Sequence, residues 1–163
     1  MELTDQNLMS ALEKLGAKAS VQDKTNQIYT TFSHNGYEYP MFLRQLEGGN
    51  LLQMLTFVPC NIEEGASVDL NRLLHMINKE LDMPGFCCDE DSKTVFYRVV
   101  IPCINKQVEE ALFQAYYQAT KHVCSMFGTI VHAIAINAMT LEEMMKNAQS
   151  EQEKKAKEAA RKK

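Results

Sequence analysis

The chain has 163 residues, 45% of them apolar and 23% charged; that is enough length for one core, and the usage is that of a globular domain, which excludes a disordered chain. Its net charge of −4 excludes a general attraction to nucleic acid, which needs a concentrated positive surface. No stretch reaches the roughly 18–20 apolar residues of a membrane span, and Met1 to Leu15 has neither the basic region nor the apolar run of a signal peptide, so neither secretion nor membrane insertion is expected.

In chain order, Leu8, Leu12 and Leu15 recur at helical spacing, with Thr4 or Asp5 as N-cap and Gly16 just past the end, and predict a short amphipathic helix. Three strands follow over Gln27 to His34, Tyr37 to Gln45 and Leu51 to Val58, separated by Asn35-Gly36 and by Glu47 to Asn50. Asn35-Gly36 is a type I′ hairpin signal, because both residues tolerate positive φ. The register it implies pairs His34 with Tyr37, Phe32 with Tyr39, Thr30 with Met41 and Ile28 with Leu43 on an apolar face that should meet the helices. Ser33 with Glu38, Thr31 with Pro40, Tyr29 with Phe42 and Gln27 with Arg44 share the other face. The third strand is apolar at both parities, which predicts a central strand that is covered on both sides or lies near a contact surface.

Leu70, Leu73, Leu74, Ile77 and Leu81 then predict a helix opening at Ser67 or Asp69 and ending before Pro84-Gly85. A second hairpin is predicted from Gly85 to Cys88 and Thr94 to Ile101 around the acidic turn Asp89 to Lys93, with Val95, Tyr97, Val99 and Ile101 on one face and Phe96, Arg98 and Val100 on the other. A long helix is predicted from near Lys106. Its buried stripe is read as Val108, Leu112, Ala115, Ala119, His122 and Met126, broadened by Ala111, Val123 and Ile130, with only Gly128 interrupting it.

The expected architecture is α+β in the order α-β-β-β-α-β-β-α: an antiparallel sheet of about five strands with helices on one face, over residues 1–138 as a single domain. Residues 139–163 are read as a charged helical tail, partly disordered, without an apolar stripe beyond about Met145. From Ser150 to Lys163 six Lys or Arg stand against three Glu, which makes that end +3 and leaves −7 on the rest. A nucleic-acid role for this basic end is not favoured, since the Glu residues dilute it and no aromatic residue is interleaved to stack bases.

No nucleophile elbow, P-loop, dinucleotide-binding or zincin motif occurs, so the chain is read as not an enzyme, with no catalytic residue, no metal site and no cofactor. Cys60, Cys87, Cys88, Cys103 and Cys124 form an odd set without framework spacing, read as reduced thiols in a cytoplasmic protein. An alternative is a thiol- or metal-dependent enzyme or sensor using Cys87, Cys88 or the scattered His34, His75, His122 and His132. Against it, vicinal residues of a strand point to opposite faces, and the C-x-x-C spacing is absent.

The positive signal is the outward face of the predicted sheet, where Tyr29 and Phe42, flanked by Arg44, share a side with Phe96 and Arg98. Exposed aromatics with Arg are what protein interfaces enrich, so these five residues are the expected contact surface for a partner protein. The ten Met residues suit an adaptable surface or plain core filling equally well.

The element order resembles the YbjN and type III secretion chaperone-like superfamily of small bacterial α+β proteins. The resemblance is carried by the Asn35-Gly36 hairpin, by Leu55 to Pro59 closing the third strand, by Asn71 to Asn78, by the hairpin of Gly85 to Ile101 and by the final helix. It covers roughly residues 5 to 135. It implies a non-enzymatic protein-binding domain, chaperone-like or regulatory, that often forms a homodimer and recognises its partner on a sheet face or edge. The Lys-rich end, Lys154 to Lys163, departs from the pattern of effector chaperones.

Overall fold

The structure, a computed structural model, describes residues 1–161 and the side chains of residues 1–154. Most of the basic end, and the last nine residues of the expected partly disordered tail, therefore lie outside the residues whose side chains are described.

The elements are α1 (Asp5–Lys14), β1 (Ala19–Gln22), β2 (Gln27–His34), β3 (Tyr37–Leu46), β4 (Leu51–Val58), α2 (Ser67–Glu80), β5 (Phe86–Asp89), β6 (Thr94–Pro102), α3 (Glu110–Ala135) and α4 (Leu141–Arg161). The strands form one antiparallel sheet in the order β1-β2-β3-β4-β6-β5. The helix and strand order agrees with expectation, with one strand added. That strand, β1, has the sequence ASVQ with a single β-branched residue, too short to show a period, and it is held only as an edge paired to β2.

Local chemistry sets the β2–β3 hairpin. Asn35 and Gly36 take φ of 50° and 80°, as a type I′ turn requires, and the register pairs His34 with Tyr37, Phe32 with Tyr39, Tyr29 with Phe42 and Ile28 with Leu43. Ile28, Phe32, Tyr39, Met41, Leu43, Leu52, Met54, Val95, Tyr97, Val99 and Ile101 are buried on the face that meets α1, α2 and α3. The central place of β4 follows from its pairing to β3 on one side and β6 on the other.

Hydrogen bonds tie the helices to this frame. Thr4 caps α1 by accepting from the backbone N–H of Asn7. Asn78, at the end of α2, accepts from the N–H groups of Gly85 and Phe86 and donates to the Phe86 carbonyl at 2.8 Å. One side chain thus fixes the start of β5 against the helix. Thr140 and Glu143 satisfy each other's backbone N–H groups as a capping box at the head of α4, and Asp69 of α2 accepts from the N–H of Leu141. Leu141 is buried, Met144 packs against the core, and α4 is exposed from Met145 to Lys154.

Two expectations about α3 are corrected. It begins at Glu110, after the backbone has turned through positive φ at Asn105 and Lys106. Its buried stripe is Phe113, Tyr117, Thr120, Cys124, Gly128, Val131 and Ala135, with Val123 and Ile134 beside it, while Leu112, Ala115, His122 and Met126 of the expected stripe are exposed. Apolar residues occur almost all round this helix, so periodicity alone admits either stripe. The observed one buries two large aromatic rings and brings Gly128 against Tyr39.

Candidate contact face

The second face of the sheet is built from the alternate residues of the same strands. Register places Tyr29, Phe42, Leu55 and Arg98 side by side across β2, β3, β4 and β6. A neighbouring row runs Phe57, Phe96 and Cys87 across β4, β6 and β5, and on the other side lie Arg44, Gln53 and Val100. Every residue sequence reading assigned to a contact surface, Tyr29, Phe42, Arg44, Phe96 and Arg98, lies on this one face.

The rings form a continuous chain: centroids are 5.1 Å apart for Tyr29 and Phe42, 5.8 Å for Phe42 and Phe57, and 6.0 Å for Phe57 and Phe96. These are favourable tilted and edge-to-face distances. The Arg98 guanidinium sits 5.8 Å above the Phe96 ring, within cation–π range. Tyr29, Phe42, Leu55, Phe57 and Phe96 are half-exposed and none belongs to the core cluster or packs against it. The helices occupy the opposite side, and Val100 is 40% exposed. A contiguous apolar stripe of this kind, outside the core, marks a contact surface more often than a solvent face.

Leu55 and Phe57 were not singled out from sequence, although the two-sided apolar character of Leu51 to Val58 carried the signal. Gln53 was not foreseen either. It is 6% exposed and accepts from Nε of Arg44 at 2.8 Å, which holds that guanidinium over the face.

Thiol and imidazole chemistry is not gathered anywhere. Cys87 is on the open face; Cys88 points to the other side and donates to Oδ1 of Asn71 at 2.9 Å. Burial pushes the Cys60 thiol up to about 11 and raises those of Cys88, Cys103 and Cys124 as well, which is the reverse of nucleophile activation. His34 is on β2, His75 on α2, and His122 and His132 on α3, where His132 Nδ1 meets the Pro59 carbonyl at 2.9 Å. Among the described residues no three of His, Cys, Asp or Glu come together in a metal-binding group, and no helix is long and apolar enough to cross a membrane. Asp89 of the acidic turn accepts from the N–H groups of Asp91 and Ser92, so its carboxylate closes the turn.

Comparison with known proteins agrees with this fold. The family model of YbjN, "Putative bacterial sensory transduction regulator", matches residues 4–132. The crystal structure of YbjN from E. coli is similar at a TM-score of 0.59 and 14% identity, covering 81% of this chain and 92% of that one. The crystal structure of the ExsC-ExsE complex contains a chain similar at a TM-score of 0.53 and 18% identity, covering 81% of this chain and 98% of its own. At these identities the two structural likenesses are of fold. No curated protein sequence matches the chain.

Proposed function

The chain belongs to the YbjN family, and from that premise we propose that it is a non-enzymatic protein-binding module, chaperone-like or regulatory, which recognises a partner protein on the outward face of its sheet. One observation carries the reading: the unbroken stripe Tyr29, Phe42, Phe57 and Phe96, half-exposed, separate from the core, and bordered by Arg44 and Arg98. The similar chain in the ExsC-ExsE complex was crystallised with a protein bound, which supports the reading without transferring that partner.

A face is favoured over an edge. The two edge strands, β1 and β5, have four residues each and offer few backbone groups for strand addition. The proposal includes a cytoplasmic location, in keeping with five free cysteines, and a homodimer, in keeping with the superfamily. The decisive experiment is affinity capture from the native cell extract with the full chain and with Tyr29→Ala plus Phe42→Ala. Loss of a specific partner is expected with unchanged circular dichroism and a cooperative melt lowered only by the lost aromatic contacts, about 1–3 kcal/mol, and capture that ignores the double substitution would overturn the surface.

A further inference from the structure

Resting on that reading of the face, we propose that its occupant is an acidic segment, one in which apolar anchors alternate with or are flanked by Asp and Glu. The stripe supplies the apolar half of the recognition and the two arginines supply the charged half. Outside its last fourteen residues the chain carries −7, yet the middle of this face presents two cations and no carboxylate. The carboxylates of this face lie at the turn ends: Glu38 on β3 is hydrogen-bonded to Ser33, and Asp89 on β5 accepts from the backbone of its own turn.

Neither arginine is engaged by a carboxylate among the described residues. Arg44 has given only its Nε–H, to Gln53, and Arg98 lies over Phe96 with its N–H groups unspent on a carboxylate. Each guanidinium is therefore oriented by its neighbours and keeps a planar fork of donors that matches a carboxylate. Arg44 and Arg98 are two strands and two residues apart, about 12 Å between Cα atoms from the usual strand spacing and rise. The register puts Gln53 and Leu55 of β4 between them, with Phe42, Phe57 and Phe96 along one flank. A segment with carboxylates at that separation would set its apolar side chains on the stripe.

Two other occupants fit less well. A second copy docked through the same face, as in a two-fold contact, would bring two more arginines and no carboxylate to the middle of the contact. A single-stranded nucleic acid needs cations along its whole track and ring faces free for stacking, whereas here there are two cations, and the rings lean on one another edge to face.

The test is selection from a random-peptide display library on the full chain, followed by anisotropy with the selected peptides, with mixed-sequence single-stranded DNA as a second probe. Peptides rich in Asp and Glu beside apolar residues are expected. Their affinity should fall about tenfold or more on Arg44→Glu plus Arg98→Glu, and that variant should itself select Lys- and Arg-bearing peptides. Peptides that lose binding on Phe42→Ala but show no carboxylate preference would overturn the acidic inference and leave the contact face standing. Acidic peptides indifferent to Phe42→Ala would overturn the face itself. DNA bound in preference to peptide, or a sedimenting dimer that Phe42→Ala dissociates, would assign the face to another occupant and overturn the proposal.

Discussion

Gly128 of α3 lies so close to the ring of Tyr39 on β3 that a Cβ at position 128 would come within 2.3 Å of the tyrosine hydroxyl and 2.7 Å of its ring. The helix gives up the propensity of alanine, about 1 kcal/mol, at this position. In exchange Tyr39, one of the sheet's two fully buried tyrosines, packs flush against the helix backbone.

Gly128→Ala should therefore destabilise the protein by about 1–3 kcal/mol, against the sign that helix propensity alone would give. Chemical denaturation of the two chains measures it. Tyr39→Phe in the alanine background should restore only part of the loss, because ring carbons as well as the hydroxyl obstruct the added methyl.

Met54 and Phe57 test the division of the sheet into two faces from a single strand. Met54 is wholly buried, so Met54→Ala should cost about 2–5 kcal/mol. Phe57, on the open face, loses mainly its aromatic neighbours, and Phe57→Ala should cost about 1 kcal/mol while removing partner binding. Paired melting and binding measurements would show stability and recognition moving independently.

Alkaline pH should weaken the fold. Burial pushes Tyr97 up to about 12 from an ordinary 10, and Cys60 to about 11 from 9. Above those ordinary values the unfolded chain ionises while the folded chain keeps its protons, so stability is intact below pH 9 and is lost progressively toward pH 12. Denaturation midpoints across that range should fall with pH. Tyr97→Phe should flatten the fall from pH 10 upward while costing about 1 kcal/mol at neutral pH for the lost hydrogen bond to the Met83 carbonyl.

Thiol labelling offers a footprint of the face. Cys103 and Cys124 are buried and should resist iodoacetamide until the protein unfolds. Cys87, half-exposed beside Phe96, should label first in the native chain, and an occupied face should slow that site while leaving the rate at Cys88 unchanged. Peptide mass mapping with and without a bound peptide reads both sites.

Much of the frame was legible because its signals are local. Asn35-Gly36 sets two positive φ values and hence the whole β2–β3 register, and from that register the separation of Ile28, Phe32 and Tyr39 from Tyr29 and Phe42 follows by alternation alone. The leucines of α2 marked its buried face because the opposite side is polar apart from Val68 and Met76. On α3 apolar residues occur almost all round, and the choice of stripe fell to partners distant in sequence.

The sequence by itself determined every helix and every strand but β1, the β2–β3 register and the existence of an aromatic second face, since period and turn chemistry act within a few residues. Only the tertiary structure decided that β6 pairs with β4, which places Phe96 beside Phe57 and Arg98 beside Leu55, and that α3 turns Gly128 toward Tyr39. Those contacts join residues 39 to 89 positions apart in sequence, and they are selected by the packing of the whole core.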